Sequence, residues 1–345
     1  MEFPREMFQK IARMGVFRMR YRKNKGGESG NTTLFCAVHE ELARGLLSMA
    51  AISAMQSLMG TNFLFQFGTQ EMKEKYFEPA MTGEKVSCFC LTEPEVGTDL
   101  GGVSTRAVKR DDGYVINGRK TWVTNGPVAD FYTVLCQTDP ERKLKGLNFF
   151  FVPRETPGLS ISKAFDLLGT RSTKISEIAF NDCRIPPEYR LGEEGQGTNN
   201  LMTILSEIRT MTAALAVGLL RATLDESIRY ARERAAFGRT IGNYQLIQAK
   251  IANMATELDA ARLLTYRAAR MIDDKIPAIK EASMAKYFST EAACRAADQA
   301  TRIFGAYGYS MEYPVQRYYR DNRFLLYGGG SHEILQTNIA KWVGL

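Results

Sequence analysis

Two short runs of this 345-residue chain bring together residue types that can do chemistry. In Cys90-Leu-Thr-Glu-Pro-Glu-Val-Gly-Thr-Asp99, Thr hydroxyls and turn amides are able to bind the edge of a flavin ring or a phosphate. In Trp122-Val-Thr-Asn125, an indole on a strand could cover one face of such a ring. Each run has a plainer reading alone, since Thr-Glu-Pro makes turns and a strand Trp usually packs in a core. Metal chemistry has little to build on. There are two histidines and six scattered cysteines, and Cys88 and Cys90 have no second pair or nearby His to complete a site. Dispersed cysteines suit a reducing cytoplasm.

The elements that must position these runs change character twice along the chain. Residues 1–86 read as helical: Ala37–Met59 is rich in Ala, Leu and Met, and Pro79 and Gly83 punctuate its end. The uncharged stretch Gly45–Gln70 is long enough for a membrane span, but its Ser, Gln, Thr and Asn residues fit a buried helix lining a pocket better. Residues 87–192 turn to strands. Val103–Val108 alternates, Asp111–Gly113 and Asn117-Gly118 read as turns, and Phe131–Cys136 and Leu147–Val152 are strongly β-prone. Helices return over 198–345, in Met211–Tyr230, in a periodic run through Leu246, Ile251, Leu258 and Leu264, in Ala282–Phe304, and in a last helix with Ser331 as its N-cap. No Gly-x-Gly-x-x-Gly follows a strand, which argues against a Rossmann domain.

Taken together, these runs resemble the acyl-CoA dehydrogenase flavoprotein family. Further matches, in the right order, are Arg232–Gly238, Tyr244-Gln245, Ile303–Tyr309 and Arg320-Asp321, so the likeness covers nearly the whole chain from Phe8. It implies an α+β multidomain fold, with an N-terminal helical domain, a middle β-barrel and a C-terminal four-helix bundle, and it implies FAD as cofactor. By resemblance, Phe89, Leu91, Thr92, Trp122 and Thr124 meet the flavin, and Thr98, Arg209 and Gly328 meet the substrate. Arg234, Phe237 and Gln245 resemble contacts to the FAD of a neighbouring subunit; a guanidinium suits a pyrophosphate, although a surface salt bridge would also explain Arg234. Arg302, Gly305, Ser331 and Glu333 fall where the family also contacts FAD. The implied partners are an acyl-CoA or acyl-carrier thioester, electron-transfer flavoprotein, and further copies of the chain in a homotetramer or homodimer.

Departures from the family pattern carry the most information. Val96, Arg302 and Ala306 replace its usual residues, and the chain starts inside the family's helical domain, as a truncation or a short member would. Most members place a catalytic Glu ahead of the last helix, where it takes the α-proton. Counted without gaps from Arg320-Asp321, that position is Gly329. A minority carry the base just before an Arg on a bundle helix; here that Arg is Arg209 and the residue before it is Ile208. Three substitutes remain. Glu207 is rotated by about 100° around its helix, Glu333 reads as a ribose contact or surface, and His332 is expected to face outward. Gly329 retains its main-chain N–H for the thioester carbonyl and lacks the general base. The run Gly328–Glu333 is similar to that of the family's crotonobetainyl-CoA reductases.

The expected function is FAD-dependent α,β-dehydrogenation of an acyl thioester or, with no base, enoyl-CoA reduction. Alternatives are elimination or desulfination at the same site, a carrier-bound substrate, or a flavin-bearing nucleic-acid-binding relative. The net charge of +7 and a pI near 9.0 favour the last. The lack of a long basic extension argues against it. The basic run Arg18–Lys25 reads as a solvated loop. Ser53, Met55, Gln56, Met59 and Asn62 are expected to make a neutral, partly polar acyl pocket. Membrane association is not expected, and the expected location is cytoplasmic.

Overall fold

β-Prone apolar runs, nearly continuous in Phe131–Gln137 and Leu147–Pro153, build the middle of the chain, and alanine-rich amphipathic stretches build its end. The computed structural model describes residues 2–21 and 30–345. In chain order the helices are α1 (Arg5–Arg13), α2 (Thr32–Gly45), α3 (Leu47–Ala54), α4 (Asn62–Phe67), α5 (Gln70–Met72), α6 (Glu78–Thr82), α7 (Gly197–Glu233), α8 (Gln245–Asp273), α9 (Ile279–Phe304), α10 (Pro314–Asp321), α11 (Arg323–Tyr327) and α12 (His332–Trp342). The strands are β1 (Ser87–Cys90), β2 (Arg106–Arg110), β3 (Gly113–Thr124), β4 (Phe131–Gln137), β5 (Leu147–Pro153), β6 (Leu159–Ile161), β7 (Ile175–Ile185), β8 (Arg190–Leu191), β9 (Ala235–Ala236) and β10 (Arg239–Thr240). The chain divides into two compact units. One comprises Met1–Gly30, Ala51–Asp166 and Arg171–Leu205; the other comprises Asn31–Ala50, Leu167–Thr170 and Ser206–Leu345.

In the first unit, β1–β8 form one sheet in the order β6-β7-β3-β2-β4-β5-β8, with β1 added parallel to β4. Its two halves meet through a single β2–β4 pair, Arg106 opposite Gln137. Side chains from both halves share a core that includes Cys88, Cys90, Ile116, Tyr132, Phe150 and Phe180. All six cysteines are buried and free. Asn117-Gly118 is not a turn. It lies inside β3, where the register against β7 shifts between Ile116 and Gly118. Gly118 has φ +145, and a Cβ there would sit 2.6 Å from the Thr105 main chain, so only glycine fits this bulge.

The uncharged stretch after Gly45 folds as α3, a π-helical turn over Met55–Gly60, and α4. Gln56 and Asn62 were expected at an acyl pocket; the Gln56 amide is spent on structure, whereas Asn62 uses only its Oδ1 and keeps a buried Nδ2 without a partner. The Gln56 amide donates to the carbonyls of Ala80 and Lys85 and accepts from the Ser87 N–H at 2.8 Å, while Asn62 accepts from Arg20 at 2.8 Å. A buried amide is stable only when its donors and acceptors are answered, and neighbouring main chain answers those of Gln56. Part of the basic run is also no solvated loop: Tyr21 is buried and Arg18 pairs with Glu78 at 2.6 Å. Residues 22–25 of that run lie outside the described residues.

The second unit is helical. Ala213 of α7, Ala268 of α8, and Ala282 and Ala285 of α9 pack together, and their small side chains let the helix backbones approach closely. Helix α2 is fastened by charge. Buried Glu40 accepts from Arg262 at 2.6 Å and Tyr266 at 2.8 Å. The Asp273 carboxylate caps the α2 N-terminus by accepting from the Thr32 and Thr33 N–H groups.

Candidate functional site

In the first unit, β1 delivers Leu91 and Thr92 at its C-terminal end, and β3 delivers Trp122 and Thr124. The Thr121 N–H donates to the Thr92 carbonyl at 2.9 Å, which ties the two runs together. Trp122 sits at the second register shift of β3 with φ +56, and its side chain is 61% exposed. The bulge turns the indole out of the sheet, so the core reading of this Trp does not hold; its neighbour is the Phe165 ring at 5.1 Å. Neither Thr92 nor Thr124 spends its hydroxyl on another described residue. The Phe89 ring at the end of β1 is mostly buried and stacks on Phe149 at 5.4 Å. Thr98 is exposed on the loop after β1.

A residue pair that sequence reading missed holds these two runs in place. Lys120 and Glu93 form an ion pair at 2.8 Å with both side chains almost wholly buried. Lys120 also donates to the Leu91 carbonyl at 2.9 Å, and Glu93 accepts from Ser104 and from the Thr105 N–H. Burial by itself would raise the Glu93 pKa, but Lys120 and these hydrogen bonds outweigh it and bring the carboxyl down to about 2. The signal was a Lys two residues before Trp122 on a strand whose alternation points it inward.

In the second unit, β9 and β10 make a hairpin whose two turn residues are Phe237 (φ +51) and Gly238 (φ +79). A phenylalanine in the left-handed region is uncommon, and this one stands 96% exposed at the tip. Arg234 and Gln245 are exposed nearby in sequence. The surface salt bridge considered for Arg234 is not formed: its guanidinium lies over the Tyr307 ring at 5.7 Å, while the neighbouring Glu233 pairs with Arg229. Arg302, expected at a phosphate, is paired with Asp298 at 2.8 Å on an exposed helix face. Gly305 follows α9 with φ +60 and open space around it.

The glycine run between α11 and α12 faces α7. Gly329 has φ +77, and a Cβ placed on it would lie 3.2 Å from Thr212 Oγ1 and 3.5 Å from Ile208 Cγ2. The two positions expected to carry a base therefore face each other, one without a side chain and one with an apolar side chain. The Gly329 N–H donates to no described residue. Lys286 of α9 clamps the run, donating to the Leu326 carbonyl at 3.0 Å and the Gly330 carbonyl at 2.6 Å. Arg209 is buried alongside: a Cβ on Gly330 would lie 4.0 Å from its Nη2, and its Nη1 donates to Ser283 Oγ at 3.1 Å. Burial lowers the Arg209 pKa to about 10. Burial and the nearby Arg209 charge lower that of Lys286 to about 8.

Sequence reading placed His332 wrongly here. His332 does not face outward. It packs against α9, with Nε2 2.8 Å from Thr290 Oγ1 and Nδ1 2.8 Å from a Glu291 carboxylate oxygen, and burial together with Lys286 lowers its pKa. Ser331 occupies the N-cap position of α12 without a side-chain bond to the helix N–H groups. Its hydroxyl serves the exposed Glu333 carboxylate, which is held below the usual range by its own N–H and by Ser331. Glu207, one residue from Ile208, acts electrostatically on Cys36 of α2. The Arg320-Asp321 pair is structural: Asp321 accepts from the Thr170 N–H at 2.7 Å and Arg320 donates to the Leu168 carbonyl at 2.9 Å.

Three stretches of the chain match the acyl-CoA dehydrogenase N-terminal domain (residues 1–84), middle domain (88–183) and C-terminal domain (195–344). Over 342 residues the chain is 47% identical to benzylmalonyl-CoA dehydrogenase of Aromatoleum aromaticum, covering 99% of this chain and 90% of that protein. It is 41% identical over 333 residues to the caffeyl-CoA reductase-Etf complex subunit CarC of Acetobacterium woodii, covering 96% and 87%. The structure of butyryl-CoA dehydrogenase from Megasphaera elsdenii matches with a TM-score of 0.95 at 34% identity, covering 99% of this chain and 90% of that one. With the helical, sheet and helical segments in this order, the chain belongs to the acyl-CoA dehydrogenase family of flavoprotein oxidoreductases that act on a CH–CH group.

Proposed function

We propose that this protein is an FAD-dependent acyl-CoA oxidoreductase whose site works without a side-chain base, and that enoyl-CoA reduction is its favoured half-reaction. The observation that carries this reading is the facing pair Gly329 and Ile208, with the Gly329 N–H left undonated. Bound FAD supplies the two-electron donor and acceptor of hydride. The exposed indole of Trp122 and the uncommitted hydroxyls of Thr92 and Thr124 fit the face and edge of a planar, hydrogen-bonding ring. Arg234, Phe237 and Gln245 are assigned to the FAD of a neighbouring subunit, which calls for a homodimer or homotetramer. Phe237, an apolar ring held out at a hairpin tip, is costly in water and suits a covered surface.

The Gly329 N–H is the donor available to a thioester carbonyl. Such a donor stabilises developing negative charge on that oxygen in either direction of reaction. Oxidation of a saturated thioester also needs an acceptor for the α-proton, a contribution of about 10²–10⁴-fold in rate, and neither Gly329 nor Ile208 supplies one. Reduction needs only that a proton reach the α-carbon, which water can provide. Among the relatives, one is named a caffeyl-CoA reductase subunit in a complex with Etf, which supports both a reductive role and an electron-transfer flavoprotein partner. Six free thiols suit the cytoplasmic location assigned here.

The test is an anaerobic spectral titration of the purified protein with paired saturated and α,β-unsaturated acyl-CoAs. The yellow protein should bleach slowly with straight-chain saturated thioesters, and the chemically reduced protein should be reoxidised quickly by an enoyl-CoA. A colourless protein with no affinity for FAD would end this reading.

A further inference from the structure

Arg209 is buried, with 5% of its surface exposed. Of its five N–H groups, the structure answers one, through Ser283, and its Nε is buried without a partner. No described carboxylate lies within ion-pair distance of it. The other cation beside it, Lys286, is fully buried and spends its donors on main-chain carbonyls. Elsewhere the protein answers its buried charges: Lys120 with Glu93, Glu40 with Arg262, Asp321 with the Thr170 N–H. An unanswered buried charge is costly. Here the cost falls next to Gly329, where a glutamate would otherwise have brought a carboxylate to this corner.

We propose that the saturated thioester this site oxidises is a malonyl-type one carrying a carboxylate on its α-carbon, and that Arg209 binds that carboxylate. The proposal rests on the flavin and thioester reading above and names its oxidisable substrate class. One ligand group then resolves both anomalies: it supplies the missing countercharge to Arg209, and it removes the need for a base. The bond between the α-carbon and the carboxylate breaks and CO2 leaves. Its electron pair stays behind as the thioester enolate, whose oxygen the Gly329 N–H can hold. Hydride lost from the β-carbon to the flavin oxidant completes an α,β-unsaturated thioester. The products are one enoyl thioester, one CO2 and one two-electron-reduced flavin, and no proton is transferred to the protein.

The test uses the purified full-length flavoprotein and two ligands that differ only in the α-carboxylate, benzylmalonyl-CoA and 3-phenylpropionyl-CoA. By calorimetry the wild type should bind the carboxylated ligand about 10- to 100-fold more tightly, the value of a charge-assisted contact. Arg209→Gln should bring the two affinities together. If that variant does not fold, the wild type still decides the matter: anaerobic bleaching by benzylmalonyl-CoA should release one CO2 per flavin reduced, and 3-phenylpropionyl-CoA should bleach slowly. Equal wild-type affinities, or bleaching without CO2, would overturn the proposal. Reoxidation of the reduced protein by cinnamoyl-CoA is measured alongside. If that succeeds while the carboxylate shows no preference, this inference fails and the flavin and thioester reading stands; if it fails too, the earlier reading falls.

Discussion

Placing a carboxylate at Gly329 tests directly the proposal that this position lacks a base. The substitution Gly329→Glu puts an L-residue at φ +77, which costs about 1–2 kcal/mol, and its Cβ meets Thr212 Oγ1 at 3.2 Å. That hydroxyl donates to the Ile208 carbonyl at 2.9 Å within its own helix, so it needs to give way by only a few tenths of an ångström. The variant should therefore fold with an apparent Tm a few degrees lower, and Thr212→Ala in the same background should recover part of that loss. Burial raises the pKa of the new carboxyl, while Arg209 beside Gly330 lowers it. It acts as a base only when ionised, so the rate of flavin bleaching by a straight-chain acyl-CoA should climb with pH through its pKa and level off above. The plateau should exceed the wild-type rate by about 10²–10⁴-fold, the usual worth of a positioned general base. Anaerobic stopped-flow spectroscopy reads both quantities. The reasoning is refuted if the wild type already oxidises a straight-chain acyl-CoA at the variant's plateau rate, with Glu207, His332 or Glu333 proving essential.

Four further outcomes are expected. Lys120→Met strands the buried Glu93 charge and frees the Leu91 carbonyl, so it should cost about 3–5 kcal/mol and loosen FAD; in the wild type, the stability that Glu93 contributes should be complete above about pH 4.5 and be lost as the pH falls toward 2, as denaturant titrations would measure. Arg234→Ala should weaken FAD retention on gel filtration, and Phe237→Gly, which removes the ring and relieves its φ of +51, should shift the assembly toward smaller species in sedimentation; a wild-type monomer with full FAD occupancy would contradict the shared site.

Much was legible in order and type. Helix, strand and helix followed one another as composition and periodicity indicated, because a 3.6-residue or 2-residue apolar period is a local property of the chain. Gly329 and Ile208 could be singled out by counting along motifs. Side-chain direction was not legible. Asn117-Gly118 has turn chemistry, yet the β7 partner strand absorbs it as a bulge. His332 looked like a surface residue at a helix start, yet α9 offers Thr290 and Glu291 to both ring nitrogens.

By itself, then, the sequence determined the family, the element order, and the lack of an acidic side chain at positions 208 and 329, since residue identity and spacing need no partner to be read. Tertiary structure alone decided that Ile208 and Gly329 face each other, that Lys120 and Glu93 lock the runs Cys90–Asp99 and Trp122–Asn125 together, and that Arg209 is buried with no carboxylate beside it among the described residues. Each of these is a contact between residues 27 to 121 positions apart in the chain, or the absence of one. Whether a charge is answered depends on which distant groups the packing brings within hydrogen-bond reach, and no local pattern encodes that.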